Sequence, residues 1–386
     1  MSRPRRLERC FSIEDLRLAA RATLPTPVAD YLEGGAEDEV SVRGNEAAFR
    51  DWRLVPRFLV DVEQVATATT VLGMPVSMPL LLGPAALHRV FHPHGELGVA
   101  RAAARFSTMQ FLSGMASTSM EQVADAGPAA RVFQVYPNRD RPAMRDLLQR
   151  IRAAGYPAIC VSVDVPCGGN RERDRRAGVA MPPKLSLRGW LEVAARPRWS
   201  LGFVTQGRIG MPNVFADPHR QVRNADMRFD AGMTWPDLDW LMAEWDGPVA
   251  IKGLLHLEDV KLAAALGARA VVLSNHGGRQ LDSAIAPLKV LPAAADAVGD
   301  RVELLIDGGI RRGTDVLKAV ALGARACLVA RPYLYGLASA GQAGVEHALG
   351  IFQTEIERGM TLLGCRTLAD LGHGHIAGGI AREIDP

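Results

Sequence analysis

Short, fully apolar runs recur along this chain, and each is followed by a stretch with apolar residues at helical spacing. The runs are PLLLG (79–83), MQFL (109–112), RVFQV (131–135), AICVSV (158–163), VAIK (249–252), AVVLS (270–274), VELLI (302–306) and ACLVA (326–330). Between them GELGVARAAARF, RPAMRDLLQRIRAAG, HLEDVKLAAALG and GTDVLKAVALG read as amphipathic helices. A strand with no polar side is covered on both faces, and alternation with helices makes the sheet parallel. Eight such units is the number that closes an α/β (β/α)8 TIM barrel, which is the predicted fold; an open doubly wound sheet is the alternative.

Two segments fall outside the repeat. Residues 1–78 read as a mostly helical N-terminal extension, with a helix start at Ser12 and Asp15 and a stop at Leu24-Pro25-Thr26-Pro27. After the fourth run about seventy residues separate Asp164 from the next convincing helix, TWPDLDWLMAEW (234–245), far more than an ordinary loop. This long insertion, centred on residues 184–230, reads as a lid, a docking surface or a mobile segment. The expected organisation is one domain over residues 1–386, with the barrel at 79–376.

Composition narrows the class. With 48% hydrophobic and 23% charged residues the chain is globular and has material for a large core. No stretch approaches eighteen uninterrupted apolar residues, so no membrane-spanning helix is expected. The start, MSRPRRLERCFS, leads into a mixed helix rather than an apolar stretch, so no signal peptide is expected. Five scattered cysteines (Cys10, Cys160, Cys167, Cys327, Cys365) without CxxC spacing point to a reducing, cytoplasmic location and away from zinc or disulfides. A net charge of +3 is too small to imply nucleic acid. His88, His92 and His94 in HRVFHPHGE read as loop residues rather than a metal site, and no metal is expected.

Barrel chemistry is built at the carboxyl ends of strands. The residues just past the eight runs are Pro84, Ser113, Tyr136, Asp164, Lys252, His276, Asp307 and Arg331, and seven of these eight are polar or ionisable. A single charge after a strand is usually a solvated loop; a whole rim of them is a site. In DGGIRRGTDVLKAVALG (307–323) Asp307 ends a strand, Gly308 and Gly309 admit a ligand close to the backbone, and a helix begins near Thr314. With Ala330-Arg331 one strand later, this is the pattern of a phosphate site at the seventh and eighth strands. SNHGGRQLD (274–282) places a histidine suited to act as base near neutral pH three residues from an arginine suited to bind a carboxylate. His276 and Arg279 together suit removal of a proton from a carboxylate-bearing substrate.

DYLEGGAED (30–38), FQVY (133–136), VDVP with RERD (163–166, 171–174), VAIKG, SNHGGRQLD and DGGIRRGTDV occur in one order across the chain. In that order they resemble the FMN-dependent α-hydroxy-acid oxidase and dehydrogenase family. ARPRWSLGFV (195–204) and LYGLASAGQAGVEHAL look most like its membrane-associated (S)-mandelate dehydrogenase and L-lactate dehydrogenase members. The resemblance implies oxidation of an (S)-2-hydroxy acid to the 2-oxo acid with FMN as cofactor. It implies His276 as the base and Asp164 as its partner. Arg171 and Arg279 would hold the substrate carboxylate with Tyr31 adding a hydrogen bond, Tyr136 would support the substrate oxygen, and Lys252 would lie beside the flavin pyrimidine edge. It implies FMN contacts from Pro84, Ala85, Ala86, Ser113, Gln134, Ser162 and Ser274. Asp307 would meet the ribityl chain, and Gly309, Arg311, Ala330 and Arg331 the phosphate. A homotetramer is also implied.

Some positions depart from that family's commonest pattern. Ala85 and Ser162 stand where Thr is frequent, and Ala330 where Gly is usual. Met115 stands where glycolate oxidases have Trp, and Gly168 where they have a bulky aliphatic. The last two remove bulk beside the substrate, so a large or aromatic acid such as mandelate is expected over glycolate. Residues 184–228 carry eight Lys/Arg (Lys184, Arg188, Arg196, Arg198, Arg208, Arg220, Arg223, Arg228) against three acids (Glu192, Asp217, Asp226). Trp190, Trp199, Phe203 and Phe215 lie among them, a mixture suited to the anionic inner face of a cell membrane. The reading is a peripheral membrane dehydrogenase that passes electrons to a quinone or protein acceptor. A soluble oxidase that forms hydrogen peroxide from oxygen is the first alternative, and a non-catalytic flavin-binding docking protein the second.

Overall fold

The eight apolar runs form eight parallel strands: β1 (Leu80–Leu82), β2 (Met109–Ser113), β3 (Ala130–Val135), β4 (Ala158–Ser162), β5 (Val249–Leu254), β6 (Ala270–Leu273), β7 (Glu303–Asp307) and β8 (Ala326–Val329). Each pairs with its sequence neighbour, and β8 returns to β1 through Cys327↔Leu80, Leu328↔Leu81 and Val329↔Leu82. The sheet is therefore a closed barrel, and the open doubly wound alternative is excluded. The computed structural model describes residues 7–127, 129–178, 186–214 and 229–378.

Alternation along each strand explains why the runs are apolar throughout. Leu81, Met109, Phe111, Val132, Cys160, Ala250, Val272, Leu305 and Leu328 fill the barrel's inside as one cluster. Their neighbours Leu80, Leu82, Phe133, Ile159, Ile251, Leu273 and Ile306 point outward into the helical layer. Both faces leave water, and full burial of such a side chain stabilises by roughly 1.5–3 kcal/mol. A hairpin of Thr69–Val71 and Met74–Val76 plugs the amino-terminal mouth, with Val71, Leu72 and Val76 joining the interior cluster. The Leu72 amide donates to the Glu303 carboxylate at 2.8 Å, which fastens the plug to β7. Chemistry is left to the opposite mouth.

The N-terminal extension is more mixed than its sequence pattern implies. A helix at Ile13–Thr23 starts as expected, Ser12 Oγ accepting the Asp15 amide. The proline pair ends it, but a second helix, Thr26–Glu33, begins at once. Pro27 sits in its first turn, where a missing N–H breaks no helical bond. A third helix, Val40–Ala48, follows, and strand Trp52–Leu54 then pairs antiparallel with Ile376–Gly378.

The insertion's described part holds three helices, Glu172–Arg176, Leu187–Ala194 and Pro197–Thr205. Lys184, Phe215, Asp217, Arg220, Arg223, Asp226, Arg228 and the Arg188 side chain lie outside the described residues. Among the described residues no helix is long and apolar enough to cross a membrane.

Candidate active site

A cavity of about 1270 Å³ opens at the carboxyl mouth of the barrel. Its walls include Pro84, Ala85, Ala86, Ser113, Met115, Tyr136, Ser162, Gly168, Arg171, Lys252, His276, Arg279, Asp307, Gly309, Arg311, Ala330, Arg331 and Tyr31. Three expected site residues are not in its lining. Asp164 sits behind His276, Ser274 sits fully buried beneath Lys252, and Gln134 is buried beside Ser113.

The loop after β6 is wound tightly to aim its histidine. His276 has φ 57°, a left-handed conformation uncommon for a residue with a side chain, and its amide donates to Ser274 Oγ at 3.0 Å. Such strain persists where the surroundings over-determine it. His276 Nδ1 lies 3.1 Å from both carboxylate oxygens of Asp164, so Nδ1 carries the proton and Nε2 is left as the free base. Burial works to raise the Asp164 carboxyl, but His276 and Lys252 outweigh it and hold it below the usual carboxylate range.

Lys252 is the cation of the barrel mouth. Its Nζ lies 2.8 Å from Ser274 Oγ, 3.1 Å from Asp307 and 3.9 Å from Asp164. Burial opposes its charge, yet the two carboxylates prevail and raise its pKa, so it is an ammonium at any working pH. Tyr136 stands across the cavity with its hydroxyl pushed up by burial and then by the Asp164 charge; it is neutral, and its ring meets Phe229 edge-on at 5.5 Å. An un-ionised phenol is a hydrogen-bond donor.

The arginine end is assembled by the N-terminal extension. Arg279 Nη1 donates to the carbonyls of Tyr31 at 3.0 Å and Gly34 at 2.5 Å, and its guanidinium lies 5.2 Å from the Tyr31 ring centre. Tyr31 thus supports Arg279 through its carbonyl and ring. Arg171 Nε approaches the Arg279 carbonyl at 3.4 Å. Nearby, reciprocal hydrogen bonds of 2.8 and 2.7 Å join the amides of Asn45 and Asn275, which sequence reasoning did not single out.

Arg331 stands at the first turn of helix Arg331–Ala340 and spends its donors on carbonyls of Leu32, Gly277 and Gly34. Burial pushes its guanidinium down. A half-buried cation bonded only to carbonyls, at a helix N-terminus, fits a phosphate. Arg311 lines the same end, but its guanidinium pairs with Glu46 at 2.8 Å. Two buried polar atoms, Gln134 Nε2 and Asp307 Oδ1, have no protein partner. With Ser113, Ser162, Lys252 and the Pro84–Ala86 backbone, these residues fit the polar ring, ribityl chain and phosphate of FMN.

Leu87 and Met211 form a small apolar cluster with Ala86, Val90, Met115 and Ile209. Of these, Met115 and Ala86 stood out in the sequence as site residues, whereas Met211 and Ile209 arrive from within the insertion. His88 is fully buried, Nε2 lying 3.2 Å from the Tyr333 hydroxyl, and among the described residues no group of side chains is arranged to hold a metal ion.

Comparison with known proteins agrees with this geometry. The family model described as FMN-dependent dehydrogenase matches residues 20–378. An L-lactate oxidase of Nostoc sp. is 42% identical over 367 residues, covering 94% of this chain and 95% of the relative. A glycolate oxidase of Spinacia oleracea is 36% identical over 367 residues, covering 95% of each. The crystal structure of the monotopic membrane protein (S)-mandelate dehydrogenase superimposes with a TM-score of 0.92 at 37% identity, covering 96% of this chain and 100% of that one. A barrel whose mouth fits FMN, matched along nearly its whole length, leaves one assignment: the chain belongs to the FMN-dependent dehydrogenase family, with FMN as its cofactor, among the 2-hydroxy-acid oxidases and dehydrogenases.

Proposed function

We propose that this enzyme oxidises (S)-2-hydroxy acids with bulky or aromatic side chains, such as mandelate, to the 2-oxo acid at a membrane surface, and passes the electrons to a quinone. The observation that carries the reading is the pairing of a held base with two arginines across one cavity. Arg171 and Arg279 anchor the substrate carboxylate. Tyr136 donates to the hydroxyl-derived oxygen. His276 Nε2 receives one of the two protons that the substrate gives up, and Asp164 stabilises the imidazolium that results. FMN, when bound, would take up the two electrons together with the other proton, and Lys252 supplies a fixed positive charge beside it.

Substrate size follows from the walls. A side chain built on Gly168 would meet nothing within 4 Å, so this position leaves open space. Met115, Leu87, Ile209 and Met211 offer apolar, adaptable surface there. A benzene ring suits such a volume better than the hydrogen of glycolate.

Membrane docking rests on the helical roof. Leu187, Trp190 and Leu191 on one helix and Leu201 and Val204 on the next are mostly exposed, with exposures of 60–79%. Arg196 and Arg198 stand between them in sequence. Apolar side chains ringed by cations suit an anionic lipid surface. The (S)-mandelate dehydrogenase of similar structure is itself a monotopic membrane protein. The lactate and glycolate oxidases among the relatives favour oxygen as acceptor, and the test separates the two. Holoenzyme is reduced anaerobically with a panel of 2-hydroxy acids, then mixed in turn with oxygen and with a short-chain quinone. The reading requires faster reduction by (S)-mandelate than by glycolate, and faster reoxidation by quinone. The opposite result on either count overturns that half.

A further inference from the structure

The arginine end contains a group that the proposed chemistry does not use. Asp174 lies on the short helix Glu172–Arg176, three residues past Arg171, and its side chain is only 9% exposed. One oxygen, Oδ2, is 3.5 Å from Arg279 Nη2; the other, Oδ1, is buried with no hydrogen-bond partner. Room for the carboxylate comes from Gly34, where an added Cβ would stand 3.1 Å from Oδ1. Asp174 also lines the cavity with Arg171 and Arg279. A buried carboxylate oxygen with no donor is costly: burial pushes the Asp174 carboxyl up, and the Arg279, Arg171 and Arg173 charges oppose that rise.

Holding Arg279 in place does not need this carboxylate, because the Tyr31 and Gly34 carbonyls and the Tyr31 ring already fix the guanidinium. What the cluster lacks without Asp174 is charge balance. Burial and then the neighbouring Arg171 push the Arg279 guanidinium down to about 10, with Asp174 and Tyr31 opposing them. Of the other charges nearby, Arg173 is paired with Glu39 at 2.5 Å, Arg331 donates to the same Gly34 carbonyl as Arg279, and Asp30 acts on Asp174. Arg171, Arg279 and Arg331 against Asp174 and Asp30 leave a single net positive charge where substrate binds.

We propose that Asp174 is a specificity-determining residue that trims this subsite to one positive charge, matching it to a single carboxylate. The 2-oxo acid product carries the same carboxylate as the substrate, so a subsite with two uncompensated cations would hold the product as tightly as it recruits substrate. Asp174 keeps the anchor weak enough to release product and penalises dianions. This rests on the reading that Arg171 and Arg279 bind the carboxylate.

Oxamate and oxalate test it, because they are nearly the same size, differ by one charge and have no hydrogen to lose. Their dissociation constants are read from the flavin absorbance of holoenzyme at about pH 8, well above the carboxylate range. Asp174→Asn is expected to bind oxamate about tenfold more tightly than wild type and to tighten oxalate further, the scale of one added charge at partly screened distance. Asp174→Glu is expected to stay near wild type. Unchanged or weaker oxamate binding in Asp174→Asn overturns the proposal, since a purely structural aspartate weakens both ligands alike. If Asp174→Asn and Asp174→Ser both lose flavin while Asp174→Glu keeps it, the carboxylate is structural and the proposal also falls. Wild type that fails to bind oxamate at all removes the arginine anchor itself, a separate failure from that of Asp174.

Discussion

The rim of the barrel and the helical roof above it are built by opposite rules. On the rim three charged or basic side chains are held by other groups: His276 by Asp164, Lys252 by Ser274 and Asp307, Arg279 by two carbonyls. On the roof Leu187, Leu191 and Leu201 present apolar surface outward, while Trp190 and Val204 also line the cavity. The rim's positions are over-determined because proton transfer tolerates little displacement. The roof's outer face is left exposed by the described residues, and under the proposed reading a membrane surface covers it. On that proposal function divides: the rim sets the rate, and the roof sets where the enzyme works.

The sharpest way to break this division is at the base. His276→Gln is expected to keep FMN and lose roughly 10³–10⁴-fold in anaerobic flavin reduction, because no other group reaches the proton. Reduction within tenfold of wild type would return the base to some other residue. On the roof, Leu187→Ser with Leu191→Ser is expected to abolish co-sedimentation with anionic vesicles, since each side chain contributes roughly 1.5–3 kcal/mol when buried in lipid. The same double variant should reduce its flavin at the wild-type rate, and a large fall would show that the roof takes part in chemistry. Between the two regions, Met115→Trp is expected to shift kcat/KM by about tenfold from mandelate towards glycolate, the scale of a pocket-volume change. An unchanged ratio would move the specificity wall elsewhere.

The smallest effect is on stability. Asp164 has a carboxyl lowered from its ordinary 3.8, so it adds stability that is complete above that value and is lost as pH falls through its folded value. The Tm difference between wild type and Asp164→Asn should therefore close in strong acid. A difference that persists undiminished there would contradict the lowered Asp164 carboxyl.

The rim was legible in the sequence because a closed parallel barrel converts chain position into place. A residue one step past an apolar run stands at the mouth, so His276, Lys252 and Asp307 could be located by counting. Residues reaching the site from elsewhere could not. Met211 and Ile209 meet Met115 through a segment with no repeat to count against. Asn45 meets Asn275 across 230 positions, and Asp174 matters because Gly34 leaves room for it. The proline pair marked the end of the first helix, but not that Pro27 would stand in the first turn of the next.

The ties between the N-terminal extension and the later strands set an order of events during biosynthesis. Arg279 and Arg331, which follow β6 and β8, donate to carbonyls of residues 31–34, and Asn275 both donates to and accepts from the side-chain amide of Asn45. A ribosome releases residues 31–45 long before β6 and β8 exist. The early segment must wait, unpaired, until the last strands emerge and the barrel closes. A nascent chain cut short after β5 carries Lys252 but lacks His276 and both of these arginines, so on the proposed roles it has no base and an incomplete anchor. The residues that complete the site are made first and used last.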